Sequence, residues 1–167
     1  MNELLSRLLE LLTVEMITNN DYVASIHIMD DITTESLLRI NHLPAIIIMS
    51  MGEDHTQGPF SNSARETFSL NLVLICRSSN TYAYEVDPLT GTTTNRNIYA
   101  LTDILKGILY ENKKLVSSTF EMTPKFQCID VRGASQNGTT VRTVMLEYTR
   151  LEKYTGMQNE QTPPYIL

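Results

Sequence analysis

The sequence predicts an α+β domain: a mostly antiparallel sheet built from two hairpins, with two main amphipathic helices packed on it. Three observations predict it. Apolar residues recur at helical spacing over 3–16 and 98–112. Four runs, 43–51, 66–77, 120–131 and 141–154, are either continuously apolar or alternate with a period of two. Each half of the chain presents these signals in the same order, a helix and then two strands, without residue-level self-similarity. Residues 1–154 read as a single domain and 155–167 as a flexible C-terminal tail.

The first helix, Glu3 to Met16, carries Leu4, Leu8, Leu11 and Leu12 on one face, and Leu5, Leu9 and Met16 widen the stripe. Such a broad stripe suits either docking in the core or contact of part of it with a partner subunit. Thr18 to Asp21 reads as the exit turn. Tyr22 to Asp31 alternates in a way that allows a strand, and Thr33 or Thr34 is placed to cap a short helix through Asn41. Leu43 to Met51 is a strand buried on both faces, with Pro44 at its start or on an edge. Gly52 to Ser63 reads as a polar loop around Gly58 and Pro59. In Glu66 to Arg77, Phe68, Leu70, Leu72, Leu74 and Cys76 form one face, a strict period of two.

Ser78 to Asn97 is a second long loop with a turn at Asp87-Pro88-Leu89-Thr90-Gly91, and Asn97 is placed to cap the second helix. That helix, Ile98 to Asn112, aligns Ile98, Leu101, Ile104, Leu105, Ile108 and Leu109. Phe120 to Val131 then alternates, and a Gly-rich connection with Asn137-Gly138 leads into Val141 to Tyr154.

The chain has 167 residues and a net charge of −6, unevenly placed. Residues 1–64 carry nine acidic and two basic side chains, and 65–167 carry ten and eleven. This balance disfavours nucleic acid and anionic membranes as partners. No apolar run approaches the roughly 20 residues of a transmembrane helix. The N-terminus lacks the basic start of a secretory signal, so synthesis in the cytoplasm is expected. Cys76 and Cys128 fall on apolar strand faces and read as buried, inert thiols.

No catalytic signature stands on this frame, and neither an enzyme nor a cofactor is expected. Gly52-Glu53-Asp54-His55 offers oxygen and nitrogen ligands, but His27 and His42 are distant in sequence, so a polar loop is the simpler reading. Gly133-Ala134-Ser135-Gln136-Asn137-Gly138 resembles a nucleophile elbow whose second glycine is one residue late. Aromatic residues on polar loops suit interface anchoring. Phe60, Tyr82 and Tyr84, with Glu85, Asp87 and Arg96 beside them, are therefore candidate contact residues. Arg142 and Arg150 share one strand face and are candidates to pair with acidic groups of a neighbouring subunit.

Carried by segments 43–51 with 66–77, 97–112, and 120–131 with 141–154, the order of elements resembles the tail terminator (tail completion) proteins of long-tailed bacteriophages. The resemblance lies in pattern and size and rests on no short motif. It implies a structural virion protein, made in the host cytoplasm and placed at the head-proximal end of the tail. It implies a ring, usually a hexamer, that caps the tail tube and stops its polymerisation. Its partners would be copies of itself, the tail tube protein and a head completion or neck protein. A neck protein of similar fold and a dimeric acidic secretion chaperone are the alternatives.

Overall fold

The computed structural model describes residues 1–31, 33, 35–36, 39–58, 63–77, 85–86, 93–94, 98–116, 118–122, 127–130 and 139–153. Helix α1, Asn2–Leu12, runs directly into a wider π-helical turn, Thr13–Thr18. Strands β1 (Ser25–Ile28), β2 (Ala45–Gln57) and β3 (Ser63–Arg77) follow. Two short strands, β4 (Glu85–Val86) and β5 (Thr93–Thr94), pair with each other. Helix α2 spans Ile98–Glu111. The chain then forms β6 (Glu121–Met122), β7 (Gln127–Asp130) and β8 (Thr139–Lys153).

The fold is α+β. Its main sheet runs β1-β2-β3-β8, with β6 and β7 sharing the position outside β8. β1 lies parallel to β2, while the other pairings are antiparallel, so the sheet is mixed rather than antiparallel throughout. Alternation in residues 22–31 signals a strand but not its direction. A parallel neighbour needs a crossover of a dozen or more residues, and residues 29–44 supply that length.

The helices cover one sheet face. Leu4, Leu8, Leu12 and Met16 are fully buried against Ile46, Ile48 and Leu72 in one core. A four-residue spacing drifts about 40° per step on an α-helix of 3.6 residues per turn. The wider π turn reduces the rotation per residue, which keeps Met16 above the sheet. Asn20 Nδ2 donates to the Glu15 carbonyl at 2.8 Å, and Asp21 closes the exit turn with φ 51°. Helix α2 buries Ile98, Leu101, Leu105 and Leu109 against β3 and β8, while Ile104 and Ile108 are partly buried. Asn112, expected as its last residue, lies one position beyond it and donates from Nδ2 to the Ile108 carbonyl at 2.9 Å.

A smaller core fills the opposite face at one end of the sheet. Ile40, Ala45, Ile47, Val73, Ile75 and Val141 meet there, with Met29 and Leu43 packed on them. Residues 45–48 are therefore buried on both faces, as their unbroken apolar run requires, and the strand begins just after Pro44.

The expected loop at 52–63 is largely strand. β2 continues to Gln57, and every residue from Gly52 to Gln57 has a partner on β3, from Ser69 to Ala64. The polar composition reflects exposure of this end of the ladder. At the end of the ladder the Gly58 N–H donates to the Ser63 carbonyl at 2.9 Å. The expected strand 120–131 is present as β6 and β7. Met122 pairs with Tyr148 but Gln127 pairs with Met145, so four intervening residues stand against two on β8.

Cys76 is a buried free thiol, and burial pushes its pKa up to about 12 from 9.0. Burial also raises the pKa of the Tyr148 phenol, whose oxygen has no hydrogen-bond partner.

Two predictions concern this core. Leu8→Ala should destabilise the fold by about 3 kcal/mol, measured by urea titration, because a fully buried leucine leaves a cavity. The second is alkaline. Above pH 9 the unfolded chain releases the Cys76 proton while the folded chain keeps it, so stability falls as pH rises toward 12. The fall attributable to Cys76 between pH 9 and 10 is about 1 kcal/mol. Cys76→Ala should flatten the curve of urea midpoint against pH by that amount.

Candidate interaction surfaces

Three features of the described surface stand out: a charged junction, an open stretch of sheet and a cleft beside α1.

The charged junction arises from one irregularity in β2. Up to Ser50, the even-numbered residues of β2 face the helices, since Ile48 pairs with Leu72 and Ser50 with Leu70. The register shifts between Ser50 and Gly52, where Gly52 takes φ 152°, a conformation a side chain would strain. Beyond this bulge, Glu53 pairs with Phe68 and His55 with Glu66. One extra residue has exchanged the faces, so Glu53 and His55 now lie on the helix side and Asp54 on the other.

Glu66 is at the centre, with its side chain only 6% exposed. Its Oε2 accepts from Arg150 Nε at 2.7 Å and lies 2.5 Å from Arg150 Nη2. Its Oε1 is 3.3 Å from His55 Nδ1, and His55 Nε2 is 3.7 Å from Glu53. Arg150 also reaches Glu3 of α1 at 3.7 Å. The guanidinium lies over the Phe120 ring, 4.9 Å from its centroid, and Phe120 meets Phe68 edge-to-face at 5.4 Å. The aromatic rings lower the local dielectric and provide a face for the cation, which strengthens the pair. This junction ties α1, β2, β3 and β8 together at one end of the sheet.

Arg142 and Arg150 do share a strand face, as their even spacing predicts. That face is the one beneath the helices, with Val144, Leu146 and Tyr148 buried between them. Arg142 lies under Tyr99 of α2, 4.6 Å from the ring centroid. Within its own chain, the Arg150 charge is engaged by Glu66 and Glu3. Period-two spacing identified the shared face but carried no information on what covers it.

Other sequence candidates fall as follows. Glu85 stands on β4 opposite Thr94. Phe60, Tyr82, Tyr84, Asp87 and Arg96 lie outside the described residues, as do the Gly133–Gly138 motif and the tail. Gly52-Glu53-Asp54-His55 is divided between two faces, and among the described residues no three ligand-type side chains are grouped for a metal. His27 Nε2 is 3.0 Å from Ser25 Oγ on β1. No described helix is long and apolar enough to cross a membrane. Glu66 and Phe120 escaped the sequence reading as site residues. Glu66 sits at one end of a strand with an arginine opposite, a pairing visible only once the β3–β8 register is known.

The open stretch lies on the face away from the helices. Met51, Ser69, Asn71, Met145 and Glu147 line a shallow depression of about 130 Å³ there. The cleft beside α1 is larger, about 330 Å³. Leu11, Val14, Leu115 and Val116 supply its apolar walls, and Arg7, Glu10, Glu15 and Asn112 its polar rim. Arg7 Nη1 is 3.4 Å from Glu10 Oε2.

Neither a protein-family model nor a curated protein matches this sequence.

Breaking the junction on one side should be costly. Arg150→Met leaves Glu66 buried without its cation and should destabilise the chain by roughly 3–5 kcal/mol in urea titrations. Adding Glu66→Leu should recover most of that loss, since two apolar groups replace two charges. If the double variant is as unstable as the single one, the pair is not the source of the effect.

Proposed function

We propose that this chain is a structural virion protein of the phage tail terminator type. In this reading it forms a ring, of six subunits, that caps the tail tube, stops its polymerisation and presents the surface for head joining. The observation that carries the reading is the architecture of paired halves. One half supplies α1 with the antiparallel pair β2 and β3, the other supplies α2 with the antiparallel pair β7 and β8, and β3 joins β8 along fifteen residue pairs. This is the order of elements on which the resemblance rests.

The surface chemistry supports a role through contacts. Acidic side chains of residues 1–64 outnumber basic ones by nine to two, so the first half offers an acidic surface to an axial partner. Phe60, Tyr82, Tyr84, Glu85, Asp87, Arg96, Arg142 and Arg150 remain the proposed contact residues. A closed ring requires a head-to-tail contact between two different patches on each subunit.

The test is assembly. Purified protein added to the tail tube protein of the same genome during polymerisation should yield short tubes, each carrying a six-subunit cap by native mass spectrometry and negative-stain imaging. Tubes of unaltered length with no bound protein would overturn the proposal.

A further inference from the structure

The outer edge of β2 is open over its second half. β1 covers this edge only as far as Ile48, whose carbonyl accepts from the Met29 N–H at 3.1 Å. Among the described residues no strand lies beyond 50–57, and residues 51–57 are exposed. The ladder fixes where the backbone groups of this stretch point. Residues of an antiparallel pair alternate between bonding across the pair and facing outward. The Gly58 N–H donates across the hairpin to Ser63. Counting back from it, Thr56, Asp54 and Gly52 bond to Arg65, Thr67 and Ser69 of β3. The N–H and C=O groups of Glu53, His55 and Gln57 therefore point away from the sheet. Such a row is a template for another strand.

We propose that this edge is a two-fold contact in which β2 of one copy pairs antiparallel with β2 of a second copy. One register joins all three outward-facing residues to each other: His55 opposite His55, and Glu53 opposite Gln57 at either end. Each of these pairs exchanges both backbone bonds. The side chains accept this register. A two-fold centred on Glu53 or on Asp54 would set carboxylate directly against carboxylate, whereas here no like-charged carboxylates stand opposite each other. On the helix side, Glu53 is diagonal to His55 of the other copy, and in its own chain it faces the Met1 ammonium at 3.8 Å. On the other side, Asp54 stands opposite Thr56 of the other copy. The two Asp54 carboxylates are diagonal neighbours, and Arg65 is their countercharge. Arg65 is exposed and pairs with Thr56, so it shares a row with Asp54 of the other copy. Read in reverse, the segment supplies a neutral residue opposite each of its own carboxylates, and this selects a second copy as the occupant. The contact joins like patches, whereas a closed ring joins unlike ones, so it goes beyond the function proposed above.

The experiment measures the mass of the purified chain by light scattering and native mass spectrometry across concentration, with amide exchange followed by nuclear magnetic resonance. The wild-type chain should form pairs. On pairing, the amides of Glu53, His55 and Gln57 should become protected, whereas those of Asp54 and Thr56 should be protected at every concentration because they already bond to β3. Gln57→Pro removes an outward N–H and spares the β2–β3 ladder, so it should raise the dissociation constant at least about tenfold with an unchanged far-ultraviolet spectrum. Gln57→Glu places a carboxylate opposite Glu53 of the other copy and should weaken the pair roughly threefold, while Gln57→Lys should strengthen it by a similar factor. A wild-type monomer at every concentration would overturn the proposal, and so would a pair in which the Glu53, His55 and Gln57 amides stay unprotected. Protection of those amides in a monomer would also overturn it, because another segment of the same chain would then cover the edge. Each of these results leaves the terminator reading standing, since tube capping is measured separately.

Discussion

The pairing of β3 with β8 is the constraint on which the rest of the structure depends. It runs without a register shift from Ser63 opposite Lys153 to Arg77 opposite Thr139. Because side chains alternate, one continuous register fixes which residues of both strands face the helices. Phe68, Leu70, Leu72 and Leu74 are thereby set against Tyr148, Leu146, Val144 and Arg142. A slip of β8 by one residue would send Val144, Leu146 and Tyr148 to the open face and bring Thr143, Met145 and Glu147 under the helices. The two helices have a surface to bury against only while this register holds.

The same register explains the treatment of charge. On the helix-covered face of β8 an arginine flanks each end of the buried run Val144, Leu146 and Tyr148, and each is stacked on an aromatic ring, Tyr99 above Arg142 and Phe120 beside Arg150. At the Arg150 end the protein adds Glu66 opposite it and Glu3 from α1. The β2 bulge then turns Glu53 and His55 to the same side. A glycine at φ 152° thus decides the surroundings of a buried carboxylate three strand positions away in the ladder's polar half. Local backbone geometry and long-range electrostatics meet at one corner of the sheet.

Much of the fold was legible in the sequence, and the reasons are specific. The helices at α1 and α2 and the central strand β3 are long, strongly periodic segments whose apolar residues all point one way, so period and burial coincide. Residues 52–57 failed that test because a strand exposed at a sheet's end has no apolar period to display. The parallel direction of β1 was also illegible, since alternation is the same read from either end. For the candidate surfaces, spacing placed Arg142 and Arg150 on a common face but could not distinguish a covered face from a free one.

The β3–β8 ladder also has a temporal meaning. Its partners are separated by 62 residues at the nearer end and 90 at the farther. Closing a loop of that length is entropically costly before any contact rewards it, and folds dominated by such distant pairings fold slowly. During synthesis, α1, β1, β2 and β3 emerge well before the strand that completes their sheet. For that interval β3 presents an unpaired edge flanked by Phe68, Leu70 and Leu72, a template for any other extended chain nearby. The longest seam of the finished molecule is therefore an open edge while the chain is being made.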